Sequence, residues 1–310
     1  MSHLDAEIFV LIPAYNEEIG ILKTIETLPE FVDKIIVVDD GSSDRTINEI
    51  LKANRDVELI ALEKNKGKGN ALISGMIWLQ DYALKNAIDM NTSILVFIDG
   101  DGQMCPSHMK SMIEPIILKK TKFTKGTRFH SAAHNEAMPT FRKVGNTILK
   151  YLNRISTGQW NITDPQNGYY AVTFDLLIKF DFNNFDFGFF VENSFLLETK
   201  RIRESVIEVP IPAIYNIGEI SHINYFTYIP STSLKLFFEW LGRITYSGLQ
   251  SYLRLLSTIS LILAFTPPLL YLLFYPTIKF KLSYLILNLA FFGATLLFDF
   301  LDFRKIYNKL

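Results

Sequence analysis

Ile94-Leu-Val-Phe-Ile-Asp-Gly-Asp-Gly-Gln103 begins as an apolar run and stops abruptly at two carboxylates one residue apart. The run reads as a buried strand. Side chains two apart on an extended chain point the same way, so Asp99 and Asp101 can share one partner where the strand opens into a loop. Two like charges so close repel, and one is driven neutral unless a cation sits between them. A hard divalent ion held by one or two carboxylates plus substrate phosphates is the usual Mg²⁺ arrangement. A polar turn after a core strand is the plainer reading of an Asp-Gly pair, and the neighbouring motifs decide between the two.

Working outward, residues Ile8 to about Thr127 alternate short β-branched runs with amphipathic stretches. The runs are Ile8–Ile12, Lys34–Val38, Val57–Ala61 and Ile94–Ile98, and between them lie Glu17–Leu28, Asp44–Asn54 and Gly69–Asn86 with apolar residues at helical spacing. Such alternation predicts an α/β fold with a mostly parallel sheet covered on both faces, and burial on both faces explains why the runs are continuously apolar. Ligands in such folds bind beyond the carboxyl ends of the strands. The polar clusters stand there: Pro13-Ala-Tyr-Asn-Glu17, Asp39-Asp-Gly-Ser42 and Asp99–Gln103. From about Phe123 to Tyr215 the alternation is less regular, with a helix expected to begin near Pro139.

At 310 residues the chain has room for one large domain plus an appendage. Its net charge of −1 gives no sign of a nucleic-acid partner. A single cysteine, Cys105, excludes an internal disulfide and fits a reducing compartment. The N-terminus has no basic region followed by an apolar stretch, so no cleaved signal peptide is expected.

The apolar residues are unevenly placed. Leu255–Ile278 and Leu282–Phe298 hold no charged side chain, and a helix crossing a bilayer core needs roughly 20 such residues. The expectation is a two-helix transmembrane hairpin over residues 253–310 with its tail, kinked at Pro267-Pro268. Arg243 and Arg254 before it and Arg304, Lys305 and Lys309 after it outnumber Lys279 and Lys281 in the connecting loop, which favours both ends facing the cytoplasm. Residues 231–252 mix Leu, Phe and Trp with Lys235, Glu239 and Arg243, which suits an interfacial helix. The expected domains are therefore a catalytic unit over 1–230, the interfacial segment 231–252 and the hairpin, in a multi-pass protein of the cell membrane or an endoplasmic-reticulum-type membrane.

Seven motifs in order resemble the family 2 glycosyltransferases of GT-A fold, specifically the polyprenyl-phosphate glycosyltransferases. They are Pro13-Ala-Tyr-Asn-Glu-Glu18, Val37-Val-Asp-Asp-Gly-Ser-Ser-Asp44, Asn65-Lys-Gly-Lys-Gly69, Asp99-Gly-Asp-Gly-Gln103, Gly126-Thr-Arg128, Met138-Pro with Arg142 and Gly145-Asn146, and Asp164-Pro-Gln-Asn-Gly-Tyr169. The resemblance covers roughly residues 7–224. It implies that Pro13, Tyr15, Glu17 and Asp40 line the nucleotide end of a sugar donor. Asp99, Asp101 and Gln103 would surround Mg²⁺ or Mn²⁺ on the diphosphate. Arg128 and Arg142 would face phosphate oxygens, Lys68 and Gln166 fall in substrate-binding motifs, and Asp101 and Arg128 are the catalytic candidates. Many relatives carry basic residues where Ile214 and Ile220 stand here, which makes His222 and Arg128 candidates for holding the lipid phosphate. After Gly188-Phe-Phe-Val the usual acidic pair is Glu192-Asn193.

The implied reaction is inverting hexose transfer from a nucleotide sugar to a polyprenyl or dolichyl monophosphate at a lipid membrane. The Asp164–Tyr169 string tilts the donor to UDP-glucose or UDP-N-acetylglucosamine, with GDP-mannose as the alternative. A lipid monophosphate has a second pKa near ~6 by analogy with phosphoserine and needs no general base, unlike a hydroxyl. Three other readings compete with this one. A processive polysaccharide synthase would carry Gln-x-x-Arg-Trp, which is absent. A nicotinamide oxidoreductase would carry Gly-x-Gly-x-x-Gly where Pro13-Ala-Tyr-Asn stands. A non-catalytic membrane scaffold with a degenerate transferase domain stays open, as does a homo-oligomer.

Overall fold

The computed structural model describes residues 6–129, 140–212, 225–247, 259–260, 290–298 and 301. In chain order the main elements are β1 (Ile8–Ala14), α1 (Ile21–Glu26), β2 (Lys34–Asp39), α2 (Thr46–Ile50), β3 (Val57–Ala61), α3 (Lys68–Lys85), β4 (Ile94–Phe97), α4 (Met109–Ile117), β5 (Phe123–Thr127), α5 (Thr140–Thr157), β6 (Tyr170–Thr173), α6 (Phe174–Leu177), α7 (Val191–Arg201), β7 (Val206–Pro210) and α8 (Tyr225–Ser247).

The strands form one sheet in the order β3-β2-β1-β4-β6-β5-β7. β1 pairs in parallel with β2 and β4, β2 with β3, and β5 with β7. Only β6 runs against its neighbours β4 and β5. The expected mostly parallel GT-A-like layout is therefore present, and the irregular second half of the chain contributes the antiparallel insertion.

Side-chain alternation divides each central strand between two cores. Phe9, Leu11, Ile36, Val38, Leu95 and Phe97 pack on one face with Leu72, Met76 and Leu79 of α3 and Phe195 of α7. Ile8, Val10, Ile12, Ile35, Val37, Ile94 and Val96 pack on the other with Ile21 and Ile25 of α1 and Met112 and Ile113 of α4. Apart from the partly exposed Lys34, every residue of β1, β2 and β4 is buried, which is why their sequence shows no polar alternation. Because β1, β2 and β4 are parallel, their carboxyl ends and all three acidic loops fall on one rim.

The chain divides into two compact units, Met1–Lys150 with Asn161–Ile229, and Tyr151–Trp160 with Pro230–Leu310. The sheet belongs to the first. In the second, Trp240 is buried against Ile155, Leu241, Phe292 and Leu296, and Ser156 Oγ donates to the Leu236 carbonyl at 2.5 Å. Among the described residues no helix is long and apolar enough to cross a membrane. Most of the expected hairpin lies outside those residues. The interfacial segment is helical as far as Ser247, and it exposes Leu234 and Phe238.

Candidate functional site

The loops after β1 and β2 are laced together by short polar side chains. Ser42 Oγ accepts from Asn16 N–H at 2.9 Å, Asn16 Oδ1 from Ser43 N–H at 2.9 Å, and Thr46 Oγ1 from Glu17 N–H at 2.7 Å. Asn16 has φ 55, a left-handed conformation that Asn tolerates better than most residues. Gly41 is required where it stands: φ is +73, and a Cβ would lie 2.6 Å from Lys64 Cα. Pro13 lies near the end of β1, paired with Val38, and Tyr15 follows the strand's end into this loop.

Asp40 is held inside the same rim. Its carboxylate accepts from Lys66 N–H at 3.0 Å and Gly67 N–H at 2.7 Å, and it is almost wholly buried. Burial nevertheless lifts its pKa above the usual range. The residue fastens the segment leading into α3, a task that buried backbone N–H groups require of some acceptor.

That fastening positions Lys68. Gly67 caps α3 with φ 102, and a Cβ on Gly69 would lie 1.9 Å from the Asp186 carbonyl oxygen. The two glycines thus admit the backbone of residues 186–188 against the start of α3, where Asn70 N–H donates to Phe187 O at 3.0 Å. Lys68 Nζ lies 2.6 Å from Asp99 Oδ1 and 2.8 Å from Glu192 Oε1. Burial opposes its charge, but Asp99 and Glu192 together hold the ammonium above its ordinary value. Gly168 lies against this group, and a Cβ there would meet Lys68 Nζ at 2.8 Å and Asp99 Oδ2 at 3.0 Å.

Asp101 Oδ1 accepts from the backbone N–H of Gln103 at 2.9 Å, so the loop is closed by Gln103's main chain. Glu17 stands opposite: burial first, then Asp101 and Asp99, push its carboxyl up to about 8. This crowding of negative charge is what a divalent cation relieves. Among the described residues no three His, Cys, Asp or Glu side chains converge as a self-sufficient metal cage. Asp99 and Asp101 therefore fit an ion that completes its shell with phosphate oxygens and water, the habit of Mg²⁺.

The guanidinium of Arg128 pairs with the carboxylate of Asp164. Nε reaches Oδ2 at 2.7 Å and Nη2 reaches Oδ1 at 2.9 Å. Asp164 has no exposed surface. Burial acts against its charge, and Arg128 outweighs this and holds the carboxyl below the usual range. A buried carboxylate needs such a partner, and the pair makes Arg128 a structural residue first.

Nearby, Lys125 is fully buried, donates to the Asn167 carbonyl, and lies 4.1 Å from the Tyr170 ring centroid. Gln166 Nε2 donates to Asn193 Oδ1 at 3.3 Å, and Tyr228 from α8 donates its hydroxyl proton to Gln166 Oε1. The backbone of Arg142 belongs to α5, but its side chain and all of His222 lie outside the described residues.

Of the residues the sequence motifs single out, the structure places Glu17, Lys68, Asp99 and Asp101 in one cluster. Lys125 and Tyr228 join the site from outside the motifs, and Glu192 takes a place beside Lys68 that its sequence position does not announce.

The model of glycosyl transferase family 2 matches residues 9–180. A UDP-N-acetylglucosamine–dolichyl-phosphate N-acetylglucosaminyltransferase of Methanococcus voltae is 32% identical over 228 residues, covering 68% of this chain and 87% of that protein. A dolichyl-phosphate beta-glucosyltransferase of Saccharomyces cerevisiae is 26% identical over 67% of each chain. Among solved structures, glucosyl-3-phosphoglycerate synthase from Mycobacterium tuberculosis with Mn²⁺ and UDP superposes with a TM-score of 0.55 at 20% identity, over 77% of this chain and 80% of that one. This last likeness concerns the fold.

Proposed function

The chain belongs to glycosyl transferase family 2, and on that premise we propose that it moves a hexose from a nucleoside-diphosphate sugar to a polyprenyl monophosphate with inversion. The observation that carries this reading is the Asp99–Asp101 pair at the end of β4, on the rim shared with the β1 and β2 loops.

Asp99 and Asp101 would hold Mg²⁺ or Mn²⁺, which when bound neutralises charge on the departing diphosphate. Glu17 and Tyr15 line the donor side of the same rim, and the buried Asp40 keeps the segment before α3 in place behind them. Lys68 adds a fixed positive charge beside Asp99. The acceptor phosphate arrives largely ionised, since its second pKa is about 6, so no side chain need remove a proton. What the protein must supply is alignment behind the anomeric carbon, which removes much of the entropic barrier. Arg142 and His222 are assigned to the acceptor phosphate.

Membrane placement serves the same end. Helix α5 leaves Val144 and Ile148 55% and 46% exposed on one face, and its charged residues, Arg142, Lys143, Lys150 and Arg154, are all basic. An apolar stripe flanked by basic residues suits the headgroup region of a bilayer; in the other unit, α8 exposes Leu234 and Phe238, which suits the same environment. The two apolar runs after Leu255 would anchor the catalytic unit on the cytoplasmic face.

A UDP-sugar donor is favoured by the Asp164–Tyr169 string and by the name of the M. voltae relative. GDP-mannose is the second reading, supported by a dolichol-phosphate mannosyltransferase of Pyrococcus furiosus at 26% identity. Radiolabelled UDP-glucose, UDP-N-acetylglucosamine and GDP-mannose, each offered to membranes with a polyprenyl phosphate, separate the donors. Label entering the lipid fraction from one UDP-sugar is the expected result. Label entering from none would leave a non-catalytic scaffold as the better reading.

A further inference from the structure

Lys68 is the basic group at the Asp99 end of the site, and the backbone around it is shaped to bring it there. Two glycines are given up to bring it in: Gly67 in a conformation that L side chains rarely adopt, and Gly69 against the backbone of Asp186. Its side chain is 16% exposed, between Asp99 at 22% and Glu192 at 6%. Glu192 lies in the first turn of α7, so one ammonium ties the starts of two helices to the loop after β4.

We propose that Lys68 is a resident counter-cation which occupies the Asp99 end of the site and disfavours divalent-ion binding until a nucleoside diphosphate arrives. This rests on the reading of Asp99 and Asp101 as the residues that hold the ion. Asp99 Oδ1 already has a positive charge at 2.6 Å. An ion that takes the remaining oxygen must sit within a few ångströms of that ammonium, and unscreened charges at such range repel strongly. Glu192 stops the lysine from swinging away, because departure would leave a nearly buried carboxylate unpaired. A diphosphate reverses the balance, since its oxygens attract both cations at once. Ion and nucleotide then bind cooperatively, and linkage makes the coupling reciprocal.

A merely structural Lys68 would change stability without changing that coupling, so the coupling is the quantity to measure. The full chain in detergent is titrated with Mn²⁺ by calorimetry, with and without saturating UDP, as wild type, Lys68→Met and Lys68→Arg. Wild type is expected to bind Mn²⁺ weakly alone and at least tenfold more tightly with UDP. Lys68→Met should raise the UDP-free affinity on the order of tenfold and shrink the gain from UDP by a similar factor, while Lys68→Arg keeps the wild-type pattern. Should the methionine leave the two carboxylates too poorly satisfied to fold, Lys68→Gln retains N–H donors without charge and carries the same expectation. Unchanged UDP-free Mn²⁺ affinity in the neutral variants, with the gain from UDP intact, overturns the counter-cation role. Wild type that binds no Mn²⁺ even with UDP overturns the underlying metal reading as well.

Discussion

Arg128 closes a two-pronged salt bridge on Asp164, with Nε–Oδ2 at 2.7 Å and Nη2–Oδ1 at 2.9 Å, and its own backbone N–H adds a third bond to Oδ2 at 3.0 Å. Thr163 and Asp164 are held in turn by Glu208 of β7, which accepts from their backbone N–H groups at 2.7 and 2.9 Å. The pair therefore joins the end of β5 to the segment that leads into β6. Removing the guanidinium strands a fully buried carboxylate, which typically costs about 3–5 kcal/mol. Arg128→Ala should lower the unfolding free energy measured by urea denaturation by that much, and Arg128→Lys should recover only part because one ammonium cannot reproduce the fork. A loss within ~0.5 kcal/mol, the range of ordinary surface changes, would mean the guanidinium is free to serve a ligand.

Asp101→Asn should abolish transfer and leave the thermal midpoint near that of wild type. The carboxylate lies in a loop whose hydrogen bond to Gln103 N–H an amide oxygen can still accept. Activity that survives excess chelator in the wild type would contradict the role given to Asp99 and Asp101.

The same substitution should have opposite signs at two glycines. At Gly69 a Cβ would lie 1.9 Å from a backbone oxygen, so Gly69→Ala must displace residues 186–188 and destabilise the protein. At Gly242, inside α8, nothing lies within 4 Å, and alanine should stabilise by up to ~1 kcal/mol through helix propensity. Urea denaturation of both variants checks the contrast, and equal effects would contradict it.

Lys125 should make stability depend on pH. Burial lowers its pKa to about 7; Asp164, Glu192 and Glu208 oppose that shift, and Arg128 adds to it. The unfolded chain keeps the ordinary lysine value near ~10.4, so between those limits it binds more protons than the folded one. Stability then rises with pH across that window, by up to ~1.4 kcal/mol per unit. Lys125→Met lacks the rise. The stability gap between wild type and variant should move in favour of wild type from pH 7 to pH 9, and a constant gap would mean that Lys125 does not lose its proton on folding.

Much of this architecture is legible because parallel strands buried on both faces write themselves as continuous apolar runs. Ile8–Ile12, Lys34–Val38, Val57–Ala61 and Ile94–Ile98 fall on β1 to β4 within two residues at either end. The antiparallel β6 is not legible. Tyr170–Thr173 is four residues long and continuous with the turn before it, so it has neither the length nor the boundaries of a strand signal.

At the site, Asp99 and Asp101 are readable because their relation is local, two residues apart on one strand end. Lys68 and Glu192 are separated by more than a hundred residues, and only the approach of residues 186–188 to Gly67 and Gly69 brings them together. Arg128 and Asp164 both stand in sequence motifs. Their pairing is not legible there, because burial of Asp164 decides it and burial follows from the sheet order β6-β5-β7.

The chemistry at the acceptor is tested most directly by what leaves with the sugar. Membranes containing the full chain are supplied with the accepted nucleotide sugar and a polyprenyl monophosphate, and both the released nucleotide and the lipid product are identified. The expected result is nucleoside diphosphate in equal amount to a lipid-linked hexose that mild acid releases, as a sugar bonded through its anomeric carbon to a phosphomonoester should be. Release of nucleoside monophosphate, or transfer to a sugar hydroxyl with no lipid present, would contradict it.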